Sequence, residues 1–155
     1  MKNAAATTHS LLLKKRKTLA VAESCTGGLL SSVITRNPGS SNYFILGVVV
    51  YSNAAKTKVL GIPKALIAKK GAVSKEVAML LAHKVRKIAK SDFGIGITGI
   101  AGPGKARADK PIGTVYIAIA SAKRAQCRKL GFSGTRLTIQ KKSTIAALKL
   151  LNSYL

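Results

Sequence analysis

The chain has 155 residues, 47% of them hydrophobic, and it carries 27 lysine and arginine residues against four acidic ones, a formal net charge of +23. This length and apolar content predict one globular domain over residues 1–155 and exclude a disordered chain. No apolar run reaches the roughly 20 residues that a membrane-spanning helix needs, and the run at 11–13 is too short for the core of a signal peptide. We therefore expect a cytoplasmic protein without a membrane partner.

The acidic residues and cysteines are too few and too scattered for several kinds of chemistry. Their spacing disfavours both a carboxylate metal site and a disulfide framework. These residues are Glu23, Glu76, Asp92, Asp109, Cys25 and Cys127. We accordingly expect neither a metal nor a cofactor.

The strong positive charge has two interpretations. A surface this basic attracts polyanions and steers anionic ligands. The charges are spread along the whole chain, however, and aromatic residues make up only 5% of it. Nucleic-acid-binding modules more often have a concentrated basic stripe or stacking aromatic side chains. We therefore favour a solvated basic surface and keep nucleic-acid binding as a non-specific alternative.

Helical and strand patterns alternate along the chain. Residues 1–10 are small and polar, which predicts a frayed start before a short helix at 11–16. Strands are predicted at 18–23, 43–51 (a buried strand), 93–100, 112–121 and 126–132. Helices are predicted at 26–35, 54–60, 64–69, 77–89 and 138–151. This order predicts a three-layer-like α/β domain with a mixed, mostly parallel sheet, and the short link between 120 and 126 predicts a hairpin and an antiparallel edge.

Two glycine-containing stretches come at predicted strand ends. The first, residues 24–28, reads Ser-Cys-Thr-Gly-Gly and opens the helix at 26–35, and the second covers residues 94–104. Glycine lets backbone N–H groups approach an anion at a helix N-terminus. Although neither stretch fits a Walker or Rossmann pattern, the pair suggests one shared ligand that carries phosphate. On this reading Thr26, Gly27, Gly28 and Gly102 bind substrate.

Ser24 is the first candidate nucleophile, and it needs a base within hydrogen-bond reach. His9 lies in the predicted frayed start and His83 in the middle of a helix, so neither suits this role. Lys56 follows the second strand by one helical turn, and it reaches the same sheet edge as Ser24 if the first two strands are neighbours. A lysine acts as a base when burial lowers its pKa. Spacing alone nevertheless favours Lys56 as one of many surface lysines.

Three further residues are candidates beside these two. Cys25 is a rival nucleophile near a helix N-terminus, although a small packed residue fits the pattern better. Thr98 either binds a ligand or caps a strand end. Tyr51 either stacks on an aromatic ring or belongs to the core.

Taken together, these segments resemble the C-terminal domain of the CinA (competence/damage-inducible) family, the nicotinamide-nucleotide amidase domain. The matching segments are 22–28, 37–41, 50–56, 71–74, 96–104 and 110–116, in collinear order. The resemblance covers nearly the whole chain from about residue 11, and the motifs are jointly very specific.

The resemblance implies hydrolysis of the carboxamide of nicotinamide mononucleotide, which gives nicotinic acid mononucleotide and ammonia. Ser24 would attack the amide carbon, and Lys56 would act as base and then as proton donor. Tyr51, Ser41 and Thr98 match family active-site positions that would orient the substrate. Arg136 matches a family arginine suited to the substrate phosphate, and its forked guanidinium makes this role physically reasonable. The chemistry needs no metal or cofactor, and the family analogy suggests a homo-oligomer.

The sequence departs from the family pattern around the expected phosphate site. The loop at 104–109 is usually richer in glycine, and here Lys105 and Arg107 would strengthen anion binding. The family has aspartate where this chain has Thr135, and a second arginine where it has Gln140. These changes leave open an alternative, a non-catalytic nucleotide-binding paralogue of the same fold. A basic DNA- or RNA-binding protein ranks below both.

Overall fold

The computed structural model describes residues 1–104 and 109–155, so Lys105 and Arg107 lie outside the described residues. The helices are α1 (Lys2–Lys15), α2 (Leu29–Thr35), α3 (Asn53–Leu60), α4 (Lys64–Lys70), α5 (Lys75–Ala89) and α6 (Arg136–Tyr154), with a short 3₁₀ helix at Ser40–Asn42. The strands are β1 (Leu19–Glu23), β2 (Phe44–Val49), β3 (Phe93–Gly99), β4 (Thr114–Ala120) and β5 (Ala125–Gly131).

The five strands form one mixed sheet in the order β2-β1-β3-β4-β5. β1 is parallel to β2 and β3, whereas β3–β4 and β4–β5 are antiparallel. The predicted mixed sheet, the hairpin and the antiparallel edge are therefore confirmed. Parallel pairing accounts for half of the strand pairs rather than most of them.

Helices cover both faces of the sheet, which gives the three layers predicted from the sequence. β1 shows how its residues divide between the faces, because alternate side chains of a strand point to opposite sides. Leu19 and Val21 pack in one core with α1, α2 and α6, and Ala20 and Ala22 pack in another with α3, α4 and α5. None of the helices in the described part of the chain combines the length and apolar character needed to span a bilayer.

The first ten residues differ from the prediction, because α1 begins at Lys2. Ala5, Thr8 and Leu12 are buried, and the Thr8 hydroxyl lies 2.7 Å from Asn152 Oδ1. The predicted frayed start is therefore wrong. The helix is held by contacts with α6, about 140 residues further along the chain, and such contacts leave no local signal.

The strand at 43–51 was predicted to be buried, and this is wrong as well. β2 is an edge strand in which alternate residues are exposed, among them Ile45 at 49% and Val49 at 47%. Its apolar composition matches that of a strand covered on both faces, and sequence alone does not show which strand of a sheet lies at the edge.

In the second glycine-containing stretch, the glycines that lie within β3 are required for packing. A Cβ added to Gly94 would lie 2.1 Å from the Ala82 carbonyl oxygen, and one added to Gly96 would lie 2.3 Å from that of Ala78. These glycines let α5 approach β3 closely. The prediction that this stretch is a ligand-binding turn is wrong for Gly94 and Gly96.

Candidate active site

Ser24 and Lys56 meet at one edge of the sheet. Ser24 directly follows β1, and Lys56 lies in α3, whose first turn is capped by the Ser52 side chain at 3.0 Å from the Ala55 N–H. Because β1 and β2 are parallel neighbours, both segments emerge at the carboxyl ends of their strands. Lys56 Nζ lies 3.0 Å from Ser24 Oγ. Lys56 is only 2% exposed, so the interpretation as a surface lysine is wrong.

The burial of Lys56 shifts its protonation equilibrium toward the neutral amine. Burial lowers the pKa of this lysine, although the nearby Cys25 acts in the opposite direction. Besides Ser24, Nζ contacts the carbonyl oxygens of Val50 and Tyr51, each at 3.0 Å. A neutral amine has two N–H donors and one lone pair. The two carbonyls can take the donors, which leaves the lone pair for the Ser24 hydroxyl proton.

The two side chains open into a cavity of about 190 Å³, which we call the Ser24 cavity. The predicted residues that line it are Ser24, Tyr51, Lys56, Thr98 and Arg136, together with the rival nucleophile Cys25. Asn53, Ala72 and Val73 also line it and were not predicted. Ala72 and Val73 fall in the segment 71–74 that carried the family resemblance, so that motif was the available signal for them.

Arg136 connects the start of α6 to two other parts of the site. Its guanidinium donates hydrogen bonds to the Gly102 carbonyl, at 2.6 Å, and to the Tyr51 hydroxyl. Gly102 therefore holds Arg136 through its backbone, whereas its neighbour Ala101 lines the cavity. Tyr51 is 55% exposed, which contradicts a core role for its ring.

Thr98 and Cys25 are both buried at the cavity. The Thr98 hydroxyl donates to the Ala72 carbonyl at 2.8 Å, so it faces a ligand only with its oxygen lone pairs. Burial raises the pKa of the Cys25 thiol to about 12. The reactive form of cysteine is the thiolate, so Cys25 is a much weaker nucleophile than its position near a helix start suggests.

The turn after Ser24 binds a carboxylate from its own chain. Glu23 is fully buried. One of its oxygens accepts the N–H groups of Gly28 and Leu30, at 3.0 and 3.1 Å. The other accepts the N–H and hydroxyl of Ser31, at 2.8 and 2.7 Å. The donors at the start of α2 are therefore already occupied.

The prediction that Thr26, Gly27 and Gly28 bind the substrate in the same site as Ser24 is not supported by their positions. They line a separate cavity beside α6. The Gly28 N–H is bonded to Glu23 and the Gly27 N–H to the Ser24 carbonyl, at 3.1 Å. The sequence analysis did not predict this role of Glu23, because it treated Glu23 as an isolated acidic residue. An acidic residue inside an apolar strand, just before the start of a helix, was an available signal.

Ser41 does not meet the other predicted residues. It lies in the 3₁₀ helix before β2, and Ser24 follows the end of the parallel strand β1. The two serines are therefore at opposite edges of the sheet within one chain. Gln140 is the residue that stands where the resemblance places a second arginine. Its Nε2 donates a hydrogen bond to the Cys25 carbonyl at 2.9 Å, which connects α6 to the turn that carries Ser24. Among the described residues, no group of three or more His, Cys, Asp or Glu side chains forms a metal-binding cluster.

The fold and the site together define a class: an open α/β sheet with a serine and a buried lysine paired at the carboxyl ends of two parallel strands. A model of the CinA C-terminal domain family matches residues 1–155. The chain belongs to this family.

Individual relatives agree with this assignment. A protein from Moorella thermoacetica, named as competence-damage inducible, is 50% identical over 144 residues, which are 93% of this chain and 35% of the relative. A CinA-like protein from Geotalea uraniireducens is 46% identical over 146 residues, 94% of this chain and 35% of the relative. The chain thus spans about a third of the length of these relatives.

This chain covers a larger share of the solved structures that it resembles than of the two relatives above. The competence-damaged protein (CinA) superfamily protein from Escherichia coli has a TM-score of 0.94 and 29% identity, covering 99% of this chain and 89% of its own. The competence damage-inducible protein A from Klebsiella pneumoniae has a TM-score of 0.94 and 28% identity, with 97% and 94% covered. These likenesses agree with the α/β architecture.

Proposed function

We propose that this chain is an amidohydrolase that converts nicotinamide mononucleotide and water into nicotinic acid mononucleotide and ammonia. The observation that carries the proposal is the 3.0 Å contact between Ser24 Oγ and the amine of a buried lysine. A hydroxyl beside a neutral amine has a base to take its proton as it attacks. Membership of the CinA C-terminal family supports the choice of substrate, which the motifs suggested.

The first half-reaction releases ammonia. The Ser24 proton moves to the lone pair of Lys56 as Oγ bonds to the carboxamide carbon. Lys56 then returns this proton to the amide nitrogen, the C–N bond breaks and ammonia leaves. The nicotinoyl group remains as an ester on Ser24.

The second half-reaction restores the serine. Lys56 takes a proton from water as the water oxygen bonds to the ester carbon. The bond to Oγ then breaks, and Oγ regains its proton from Lys56. The product is a carboxylic acid that ionises, so one water is consumed and both groups return to their starting protonation states.

The size of the Ser24 cavity bears on how the substrate is held. Its volume of about 190 Å³ is below the roughly 300–1,000 Å³ typical of sites that enclose a whole ligand. We infer that it takes the carboxamide ring and leaves the ribose phosphate outside. The exposed Tyr51 ring would stack on the pyridinium, and Arg136 has N–H donors beyond its two protein contacts for the phosphate.

The experiment measures ammonia release by the purified chain given nicotinamide mononucleotide, with binding measured in parallel. We expect Ser24→Ala to lower kcat by about 10⁴-fold or more and to leave Kd within about twofold, because the hydroxyl acts in the transition state rather than in binding. Cys25→Ala is the matched control and should keep activity within about threefold, since a protonated thiol contributes no nucleophile.

Two results would contradict the proposal. If Cys25→Ala loses activity while Ser24→Ala keeps it, Ser24 is not the nucleophile. If the wild-type chain binds the nucleotide but releases no ammonia, the non-catalytic nucleotide-binding paralogue is the better description.

A further inference from the structure

A second cavity lies at the sheet edge opposite to Ser24. Its volume is about 450 Å³. It is lined by the segments that precede β1 and β3, the end of α5, the turn between β4 and β5, and the last residue of α6. We call it the basic cavity, because five cationic side chains line it: Lys17, Arg86, Lys90, Lys123 and Arg124.

The concentration of positive charge in the basic cavity exceeds that of the chain as a whole. Five of its eleven lining residues are lysine or arginine, compared with 27 of 155 in the chain. Among the described residues, eleven also line the Ser24 cavity, and two of these are lysine or arginine. Basic residues at the end of α5 suit the helix dipole, but this does not explain Lys17, Lys123 and Arg124, which belong to other segments.

Among the described residues, Asp92 is the one acidic side chain that lines the basic cavity, and it is already engaged. It accepts a hydrogen bond from Lys17 Nζ at 2.9 Å, and it accepts the N–H and the hydroxyl of Thr18, each at 2.9 Å. Lys90 and Lys123 are exposed and come from different elements. The charge of Asp92 is therefore offset locally, and the cavity retains an excess of positive charge.

Arg86 lines the basic cavity and has donor groups that the protein does not fully use. Its Nε is buried and has no hydrogen-bond partner among the described residues, while one of its terminal nitrogens donates to the Ser91 carbonyl at 3.4 Å. A guanidinium N–H can only donate, and buried donors are normally paired. The terminal nitrogens of Arg86 have N–H groups beyond the one bonded to Ser91, so these are the groups that an anion in the cavity would contact.

The wall formed by the β4–β5 turn is held in place without a ligand. Arg124 donates to the Tyr154 carbonyl at 3.0 Å, and its guanidinium lies 4.1 Å from the centre of the Tyr154 ring. The Tyr154 hydroxyl donates back to the Arg124 carbonyl. Lys123 lies in the same turn, so these contacts also hold its backbone in place.

We propose that the basic cavity binds a small ligand through a diphosphate or triphosphate group. Several cations from separate elements match an anion with several charges better than a single carboxylate or monophosphate. The guanidinium of Arg86 suits phosphate oxygens in particular, because its donors form charge-assisted hydrogen bonds with them. This site is separate from the Ser24 cavity and does not depend on the proposed amidase reaction.

The test titrates inorganic pyrophosphate into the purified chain by isothermal calorimetry at about 0.15 M salt, where weak surface attraction is screened. We expect one saturable site per chain. The double variant Lys90→Gln/Lys123→Gln should raise Kd about tenfold or more, because two charge-assisted contacts are lost. Arg86→Gln, which removes a guanidinium from the lining of the cavity, should raise Kd as well.

Two controls have matched chemistry. Lys58→Gln/Lys69→Gln removes the same charge from exposed positions on α3 and α4, and Arg136→Gln removes a cation from the Ser24 cavity. Both variants should leave Kd within about twofold, since none of these three residues lines the basic cavity. The proposal is overturned if the first control weakens binding as much as Lys90→Gln/Lys123→Gln. It is also overturned if Arg136→Gln abolishes binding or if no saturable binding occurs.

Discussion

Lys56 and Lys17 lie at opposite edges of the same sheet and have opposite surroundings. Lys56 is 2% exposed, and its amine contacts three neutral oxygens. The Lys17 side chain is 45% exposed and lies 2.9 Å from the carboxylate of Asp92. The comparison shows that burial without a negative partner distinguishes Lys56 from Lys17 in a chain with 27 lysine and arginine residues. This difference is what suits Lys56 to the proposed role of base.

Among the changes that test this comparison, the largest expected effect comes from removing the Lys56 amine. Lys56→Met keeps most of the side-chain volume and should lower kcat by about 10³-fold or more, because the serine proton loses its acceptor. In the wild type, kcat should rise with pH through the pKa of Lys56, which lies below its ordinary value of 10.5. Initial rates of ammonia release across pH measure both effects.

The control at the opposite edge is Lys17→Met, which should leave the rate within about twofold. A wild-type rate that falls as pH rises toward 10 would contradict the role of Lys56 as base.

A smaller but still large effect concerns the turn that holds Ser24. Glu23→Ala should lower the free energy of unfolding by about 3 kcal/mol, because four donors at the start of α2 lose a buried acceptor. Urea denaturation followed by circular dichroism gives this value. Glu23→Gln keeps the shape of the side chain and one acceptor oxygen, so its free energy of unfolding should lie between those of wild type and Glu23→Ala. Equal stability of all three proteins would show that the buried carboxylate is dispensable.

The smallest effect concerns the ion pair at the Lys17 edge. Burial acts to raise the pKa of Asp92, but the hydrogen bonds from Thr18 and Lys17 outweigh it, so the pKa lies below 3.8. Asp92→Asn should cost about 1 kcal/mol at neutral pH, a figure reduced for water screening at this partly exposed site.

The sign of the pH dependence follows from this lowered pKa. The unfolded state takes up a proton before the folded state as pH falls, so the contribution of Asp92 is complete above 3.8 and is lost as pH drops through the folded pKa. Denaturation at pH 7 and at pH 2 checks this. The account would be contradicted if the stability difference between Asp92→Asn and wild type were as large at pH 2 as at pH 7. Glu76→Gln, which removes one partner of a surface ion pair, is the control and should reduce stability less than Asp92→Asn does.

Sequence patterns predicted the order of elements well where they depend on local signals. The helix predicted at 54–60 and the short link predicted between 120 and 126 are examples, since the Ser52 cap and the turn at 121–124 both act within a few residues. The start of α1 was missed because Thr8 is held by Asn152, at the far end of the chain. The edge position of β2 was missed for a related reason, because strand order is a property of the whole sheet.

The candidate site also combines features that local sequence predicts with features that depend on the whole sheet. The motif around Ser24 and the segment with Lys56 could be found from sequence, but their 3.0 Å contact depended on the parallel pairing of β1 and β2. The ligand-binding roles of Gly27 and Gly28 were inferred from a pattern of available N–H groups. The structure instead bonds these N–H groups within the chain, to the Glu23 carboxylate and the Ser24 carbonyl, so the sequence pattern overstated how available they are.

The Glu23 carboxylate has a consequence for how the serine is presented. In a phosphate-binding turn the ligand supplies the anion that orders the loop, so the loop and the ligand become ordered together. Here the chain supplies that anion itself, fully buried and five residues before the Gly28 N–H that it accepts. The loop is therefore preorganised, and substrate binding need not include the entropy loss of ordering the segment that carries Ser24.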